Sequence, residues 1–322
     1  MKIGKLEIGG YAALAPMAGV ADRAMREICI GFGAGYTVGE LTSAKGVSRG
    51  DKKSETLLFC ADKERPFASQ LFGSDAVSMG EAAKRAEELC PDFIDINMGC
   101  PAPKVAGHGG GSALMKNPVL AGEIIKAVVE SVSIPVTVKM RSGWDNDSLN
   151  AVTLAKIAEE CGAAAVTVHG RTRQQMYAPP VNIDIIKQVK DSVSIPVIAN
   201  GDITDFDSAL KMKEETGCDY LLVGRGAMGN PFVFAEINAG FRGEKIPVFS
   251  LEERLNVLRK QVRLMVEYKG ERTAFLESRK HASWFIKGMR GAASMRRACG
   301  EISSMDDIER IIEMALETGR VL

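Results

Sequence analysis

Cys100 stands in the stretch FIDINMGCPAPKVAGHGGG, Phe93 to Gly111, between an apolar run and a glycine-rich turn. A free thiol has a pKa of about 8.5 and is mostly protonated at neutral pH. With no base beside it, it donates a proton more readily than it attacks as a thiolate. General acid therefore leads nucleophile for this residue. A packing role stays open because buried free cysteines are common, but the flanking prolines and glycines argue against a core position. His108 lies in the glycine run and could act as a base, although nothing in the pattern requires it.

Other polar residues close apolar runs elsewhere in the chain. Gln70 ends SQ, Asn97 ends DIN, Lys139 ends VTVK and His169 ends VTVH, while Asn200 with Asp202 and Arg225 close two later runs. A buried lysine is costly unless an anion meets it. The electron-rich edge of a flavin ring would suit Lys139, and an ion pair with Asp95 is the alternative. For His169 alone, a core histidine with one hydrogen bond is the plainer reading. The three histidines, His108, His169 and His281, lack metal-ligand spacing, so no metal is expected.

ANGDI (199–203) and VGRGAMGNP (223–231) put glycines where backbone N–H groups can approach an anion, each ahead of an expected helix N-terminus. Arg225 adds a charge-assisted fork. Phosphate binding is the functional reading of these two loops, and tight turns alone are the bland one.

The elements that must position these residues are legible as eight short apolar runs, at 11–19, 35–40, 66–73, 92–99, 134–141, 164–170, 195–201 and 219–226. Helical periodicity fills most gaps, over Ala76–Cys90, Val119–Val132, Ser148–Cys161, Ile183–Asp191 and Phe206–Thr216. The alternation predicts an α/β fold, a (β/α)8 TIM barrel, in which catalytic residues sit at the C-terminal strand ends. A doubly wound open sheet is second, since APMAGVAD lacks the glycine fingerprint that fold would carry. SVSIPV occurs at 131–136 and again at 192–197, each copy closing a helix and opening a strand. From Glu244 to Leu322 the pattern is helical, with Ser250 and Glu253 forming a capping box. The expected division is a catalytic barrel over 1–243 and a C-terminal α-helical domain over 244–322.

Composition sets outer bounds. The 322 residues carry 41 basic and 41 acidic side chains, so any basic surface must be local. Seven cysteines, without a Cys-x-x-Cys pair, suit reduced thiols in a cytoplasmic protein. No secretory leader and no membrane span are expected. No obligate protein partner is evident, and a monomer is expected.

Taken in order, APMAGVAD, ELTSAKG, QLFGSD, DINMGCPAPKV, GGGSALMKNP, VTVKMRSGWD, VTVHGRTRQQMY, IPVIANGDI and LLVGRGAMGNPFVF resemble the tRNA-dihydrouridine synthase family, closest to its bacterial B-type branch. ESRKHASWFIKGM resembles that family's C-terminal helical domain. The resemblance implies FMN at the barrel mouth and NADPH as reductant, with tRNA as the partner and selected uridines reduced to 5,6-dihydrouridine. It places Pro16, Met17 and Ala18 along the flavin, and Gln70 and Lys139 on its ring. His169 would lie near the ring or the phosphate. Asn200, Gly201, Asp202, Gly224 and Arg225 would hold the ribityl chain and phosphate. Cys100 matches the family's proton donor, and Asn97 would meet the uracil or the flavin edge.

Ser278 to Gly300 contains Arg279, Lys280, Lys287, Arg290, Arg296 and Arg297 and no acidic residue. On one continuous helix, Arg279, Lys280, Lys287 and Arg290 would share an arc of about 100°, a candidate face for RNA phosphates. Arg171 and Arg173 form a second candidate patch near the mouth. Two other readings remain at this point. One is a barrel flavoenzyme acting on a small molecule, of the dihydroorotate-dehydrogenase or ene-reductase kind. The other is an RNA-binding barrel without catalysis.

Overall fold

The structure, a computed structural model, describes residues 1–319; Arg320 to Leu322 of the expected helical domain lie outside the described residues. Eight parallel strands form the barrel: β1 (Ala12–Leu14), β2 (Thr37–Val38), β3 (Phe67–Phe72), β4 (Phe93–Met98), β5 (Val136–Arg141), β6 (Ala165–His169), β7 (Val197–Asn200) and β8 (Tyr220–Val223), and a short ninth strand, Thr42–Ser43, pairs with β3 in the same sheet. Pairing of β8 with β1 and of β2 with β3 closes the sheet into a barrel. Each expected run contains one of the eight barrel strands, and each of these is shorter than its run. The excess residues, such as Pro16 to Gly19, form the loops at the mouth.

Eight helices of seven or more residues flank the strands: α1 (Arg23–Gly31), α2 (Lys52–Leu58), α3 (Ala76–Glu87), α4 (Pro118–Ser131), α5 (Ala151–Glu160), α6 (Ile183–Lys190), α7 (Phe206–Thr216) and α8 (Val233–Phe241). Their starts follow local chemistry. Asp22, Asp51, Asp75, Asn117, Asn182 and Asp205 each accept a hydrogen bond from a first-turn N–H, satisfying a donor the helix cannot. The apolar faces of these helices bury against the outside of the barrel, joining Leu14, Ile94, Ile96, Val138, Val166 and Val168 in one core. Inside, Ala13, Tyr36, Ala68, Phe93, Ala165, Ile198, Tyr220 and Leu222 fill the lower barrel. A short hairpin, Lys2–Ile3 with Leu6–Glu7, covers that end with Ile3 and Ile8. The opposite, C-terminal end is left to polar groups.

The internal echo has a physical basis. Ser133 gives its N–H and its hydroxyl to Glu87 Oε1 at 2.8 and 2.6 Å. Ser194 makes the same pair of bonds to Glu159 Oε1 at 2.7 and 2.5 Å. In each copy a glutamate at or near the end of one helix fixes the loop that follows the next helix.

After α8 come α9 (Leu251–Lys269), α10 (Glu271–Phe285), α11 (Ala292–Gly300) and α12 (Met305–Gly319). Ser250 and Glu253 cap α9 reciprocally, as the sequence predicts. These helices enclose a second apolar cluster built on Leu255, Leu258, Val262, Phe285, Ile308 and Ile311, which Phe232 also enters from the start of α8. They meet the barrel along α1. There Lys269 Nζ lies 2.6 Å from Asp22 Oδ2, and the Tyr268 hydroxyl donates to Glu27 at 2.6 Å.

The acid-free stretch departs from expectation. It is not one helix: α10 ends at Phe285, Gly288 and Gly291 take φ of +83° and +72°, and α11 begins at Ala292. Lys287 and Arg290 therefore sit on an exposed connection and not on a shared helix face with Arg279 and Lys280. Two glycines in the left-handed region break the helical register.

Candidate active site

Strand geometry gathers the predicted residues at one end of the barrel. In β4, Asp95 and Asn97 alternate with Ile94, Ile96 and Met98. In β5, Thr137, Lys139 and Arg141 alternate with Val136, Val138 and Met140. Successive side chains in a strand point to opposite faces, so the apolar set packs outward on the helices and the polar set points into the barrel.

Asn97 organises the first half of the site. Its Oδ1 accepts from the N–H groups of Gly99 and Cys100, at 3.1 and 2.8 Å. Its Nδ2 donates to Gln70 Oε1 at 2.8 Å, and Gln70 Nε2 donates to Asp95 Oδ2 at 2.7 Å. Asp95 also accepts from the Thr137 hydroxyl at 2.6 Å. The Asn97 oxygen thus holds the turn that carries Cys100. Cys100 is half-buried on that turn, and its carbonyl accepts from Ser112 N–H at 3.1 Å.

Lys139 supplies the charge. Its ammonium donates to Asn200 Oδ1 at 3.1 Å, and Asn200 in turn donates to the Leu222 carbonyl at 2.7 Å. The alternative of a direct pair with Asp95 is not what forms. Burial, followed by repulsion from Arg141, pulls the Lys139 pKa down to about 8 against the opposing pull of Asp95 and Cys100. Burial likewise pushes Asp95 up to about 6, against the hydrogen bonds from Gln70 and Thr137 and the charge of Lys139.

Arg141 is the residue the sequence reading missed. It is 3% exposed. Its Nε donates to the Gly99 carbonyl at 2.8 Å, and its Nη1 donates to the carbonyls of Thr172 and Met176 at 2.8 and 3.0 Å. It ties the Cys100 turn to the loop after β6. The signal was present in the alternation of VTVKMR, which puts Arg141 on the same face as Lys139.

The second half of the site lies at β6 to β8. His169 is buried beside Gly201, whose Cβ, were one present, would meet His169 Cδ2 at 3.1 Å. Burial and then the charges of Lys139, Arg141, Arg171 and Arg225 hold His169 far below the usual imidazole range, so it is neutral. Asp202 takes φ of +52° and accepts from Arg171 at 2.6 Å, from Arg225 at 3.3 Å and from Val181 N–H at 3.0 Å. Burial opposes its ionisation, but the Arg171 and Val181 bonds outweigh burial and hold its carboxyl below the normal range. Asp202 thereby acts as a brace for Arg225, whose guanidinium lies 4.5 Å from the Tyr177 ring centre and remains half exposed.

Two expectations need correction here. Arg171 is not on an exposed basic patch: it is 3% exposed, with its guanidinium committed to Asp202 and the Pro179 carbonyl. The helix N-terminus after β7 is not open to an anion either, because Asp205 accepts from Ser208 N–H at 2.8 Å and closes it. The turn after β8 remains. Gly226 packs so closely that a Cβ there would lie 2.1 Å from the Ile203 carbonyl, whereas one at Gly224 would meet nothing nearer than 3.8 Å. One of the atoms at 3.8 Å from Gly224 is Met17 Sδ, which brings the first barrel loop to the eighth strand end. In that loop Pro16 is half-buried and Ala18 exposed.

The helical residues divide similarly. Arg279 Nε donates to the Ile302 carbonyl at 3.1 Å, an internal bond. Lys280 reaches out of α10 to the first barrel loop, where a Cβ on Gly19 would lie 2.9 Å from its Nζ. Arg173 is half-buried, 4.7 Å from the Trp144 ring centre.

A closed parallel barrel with its ionisable groups converging at the C-terminal strand ends is the architecture of a barrel enzyme. The model of the family described as "Dihydrouridine synthase (Dus)" matches residues 13–318, and the chain belongs to that family. It is 40% identical over 307 residues to tRNA-dihydrouridine synthase B of Pseudomonas aeruginosa, covering 95% of this chain and 92% of that protein. To the protein of the same name from Proteus vulgaris it is 40% identical over 318 residues, 98% of each. Among solved structures, histamine dehydrogenase from Rhizobium sp. 4-9 superposes with a TM-score of 0.56 over 82% of this chain. This chain spans half the length of that structure, and at 14% identity the likeness is one of fold.

Proposed function

We propose that the protein reduces selected uridines in tRNA to 5,6-dihydrouridine, with FMN as cofactor and NADPH as the electron source. The observation that carries this reading is the Cys100 turn, pinned by Asn97 and Arg141 beside the Lys139 ammonium at the mouth of a barrel of this family. The residues present suit FMN. Lys139 is a barrel-lining cation whose hydrogen bond goes to a neutral amide, Asn200, leaving its charge for an anionic partner. Gly224, Arg225 and the close-packed Gly226 offer a turn and a guanidinium to a phosphate. Lys139 and Gln70 would face the ring, with Met17 and its neighbours Pro16 and Ala18 along its edge. Asn200 and Gly201 would line the ribityl chain, and Asp202 would act by holding Arg225. A flavin held there supplies a hydride, the chemistry needed at C6 of uracil.

The chain's own residues do the rest. The target base must leave its stack before its C5–C6 bond can be reached. Hydride addition at C6 leaves negative charge at C5 and O4. The Cys100 thiol gives its proton to C5, and solvent later returns a proton to sulfur. Lys139 and Arg141 offset the negative charge that passes through sulfur. Two hydrogens are thereby added across one double bond, and one NADPH is consumed. The helical region from 244 onward, with Lys280 at the rim and Lys287 and Arg290 exposed, would bind the tRNA. We place the reaction in the cytoplasm and assign it to a monomer.

Incubation with NADPH and tRNA lacking dihydrouridine, followed by nucleoside mass spectrometry, tests the reading. Dihydrouridine is the expected product. NADPH oxidation driven by small unsaturated pyrimidines such as orotate or free uracil, with tRNA left unmodified, would replace it with the small-molecule reading.

A further inference from the structure

Trp144 carries two cations at once. Lys116 Nζ lies 4.6 Å from its ring centre, and the Arg173 guanidinium carbon 4.7 Å. The two charges are therefore within about 10 Å of each other, roughly one Debye length at 0.1 M salt. Neither is in a salt bridge among the described residues, although Asp145 and Asp147 lie in the same loop as Trp144. Arg173 Nε is buried with no hydrogen-bond partner. A cation–π contact contributes only about 0.5–1 kcal/mol at an exposed site, and a buried donor left unmade costs about 1–3 kcal/mol. Two like charges and an unmet donor drawn to one indole are a deficit that an anion would cancel.

The arrangement is rigid. Arg173 N–H donates to Gly143 at 3.0 Å, Gln174 N–H to Trp144 at 3.1 Å, and Gln175 Nε2 to Asn146 at 3.1 Å. Lys116 ends the short helix Gly111–Lys116 that follows the Cys100 turn, and Asn150 Nδ2 holds the Met115 carbonyl at 2.6 Å. The loops after β4, β5 and β6 thus present the pair on the same rim as Cys100. We propose that Lys116 and Arg173, set by Trp144, form a clamp for a backbone phosphate of the RNA beside the reacting nucleotide. This rests on the reading of the protein as a tRNA-modifying enzyme. It names a subsite that the basic helical region does not supply.

The test is tRNA affinity as a function of salt for the wild type, Lys116→Ala, Arg173→Ala and the double variant, with dihydrouridine formation followed in parallel. Each phosphate contact contributes about 0.7–0.9 to the slope of log affinity against log salt. The double variant, which removes the contact to that one phosphate, should lose about 0.7–0.9 from that slope and bind roughly 5- to 8-fold more weakly at 0.1 M salt. KM for tRNA should rise with little change in kcat. Lys116 is exposed and its side chain has no hydrogen bond, so its single variant tests the clamp without risk to folding. An unchanged slope in variants of an enzyme whose wild type forms dihydrouridine would overturn the clamp alone. A wild type that neither binds nor modifies tRNA would overturn both the clamp and the functional reading. A raised KM for NADPH with tRNA binding intact would also overturn it, marking the pair as a site for the dinucleotide's phosphate.

Discussion

Cys100 owes its placement to residues on other strands. Asn97 fixes its backbone from within β4, and Arg141 fixes the preceding carbonyl from β5. A positioned general acid contributes roughly 10²–10⁴-fold in rate. Cys100→Ala should therefore slow dihydrouridine formation by at least about 100-fold while the purified protein keeps its flavin absorbance and its tRNA affinity; loss of flavin from this variant would contradict the acid assignment. Asn97→Ala keeps the thiol but frees its turn, so a kcat loss of about 10-fold with little change in KM is expected. Lys139 gives a pH signature. Its pKa is lowered to about 8, so its positive charge is present below that value and disappears as pH rises through it. The part of the rate that depends on the Lys139 charge should be lost above pH 8, and Lys139→Arg, which stays charged, should show a shallower fall there. The same lowered pKa means that the folded state binds fewer protons than the unfolded state between about 8 and 10.4. Stability from this group therefore increases across that window even as activity declines. Cys100, Lys139 and Asn200 were legible as residues because their types are unusual at the ends of apolar runs. The commitment of Asn97 to its own turn was not, because it depends on which backbone N–H groups the turn presents.

At the scale of elements, periodicity and caps carried most of the information. The helix expected over Ser148–Cys161 forms over Ala151–Glu160, and that expected over Phe206–Thr216 forms at those bounds. What periodicity could not show was continuity through Gly288 and Gly291, because glycine is tolerated within a helical pattern until its φ turns positive. It also gave no hint that Arg171 is walled in by a loop from the next unit. The turn after β8 makes a comparable long-range contact: Gly229 has φ of +67°, and a Cβ there would lie 2.5 Å from the Trp284 carbonyl carbon at the end of α10. The turn after β8 and the helical region are thus in backbone contact through a residue that must be small. Gly229→Ala adds the cost of a left-handed alanine, about 1–2 kcal/mol, and forces the two backbones apart. A fall in melting temperature and a rise in KM for tRNA are expected together; a variant with a lower Tm and an unaltered KM would show that the contact is purely structural.

At the scale of the whole molecule, two apolar cores are joined through one face of α1. The joint is electrostatically exacting: Asp22 is 2% exposed, caps α1 through Met25 N–H, and is met by Lys269, which also bonds Glu277 at 2.6 Å. Lys269 is partly exposed while Asp22 is buried, so removing the lysine leaves a buried carboxylate held only by its helix-cap bond. Lys269→Met should therefore loosen the helical region from the barrel, seen as a lower melting temperature, and because Lys280 reaches the first barrel loop from that region, the rim of the barrel mouth should change with it. The equal totals of acidic and basic residues hide how charge is distributed across this assembly. Lys287, Arg290, Arg296 and Arg297 are exposed on the helical side, with no acid between Ser278 and Gly300. If these residues and the Trp144 pair contact one RNA from opposite sides of the barrel mouth, their contributions to the salt slope should add, since well-separated sites behave independently. Lys287→Glu with Arg290→Glu should weaken tRNA binding and make it less salt-sensitive, while the rate of NADPH oxidation without tRNA stays the same. Combining these with Lys116→Ala and Arg173→Ala should give the sum of the two slope changes. A combined change no larger than either alone would mean that the two groups serve alternative binding modes, and the picture of one RNA spanning both would have to be withdrawn.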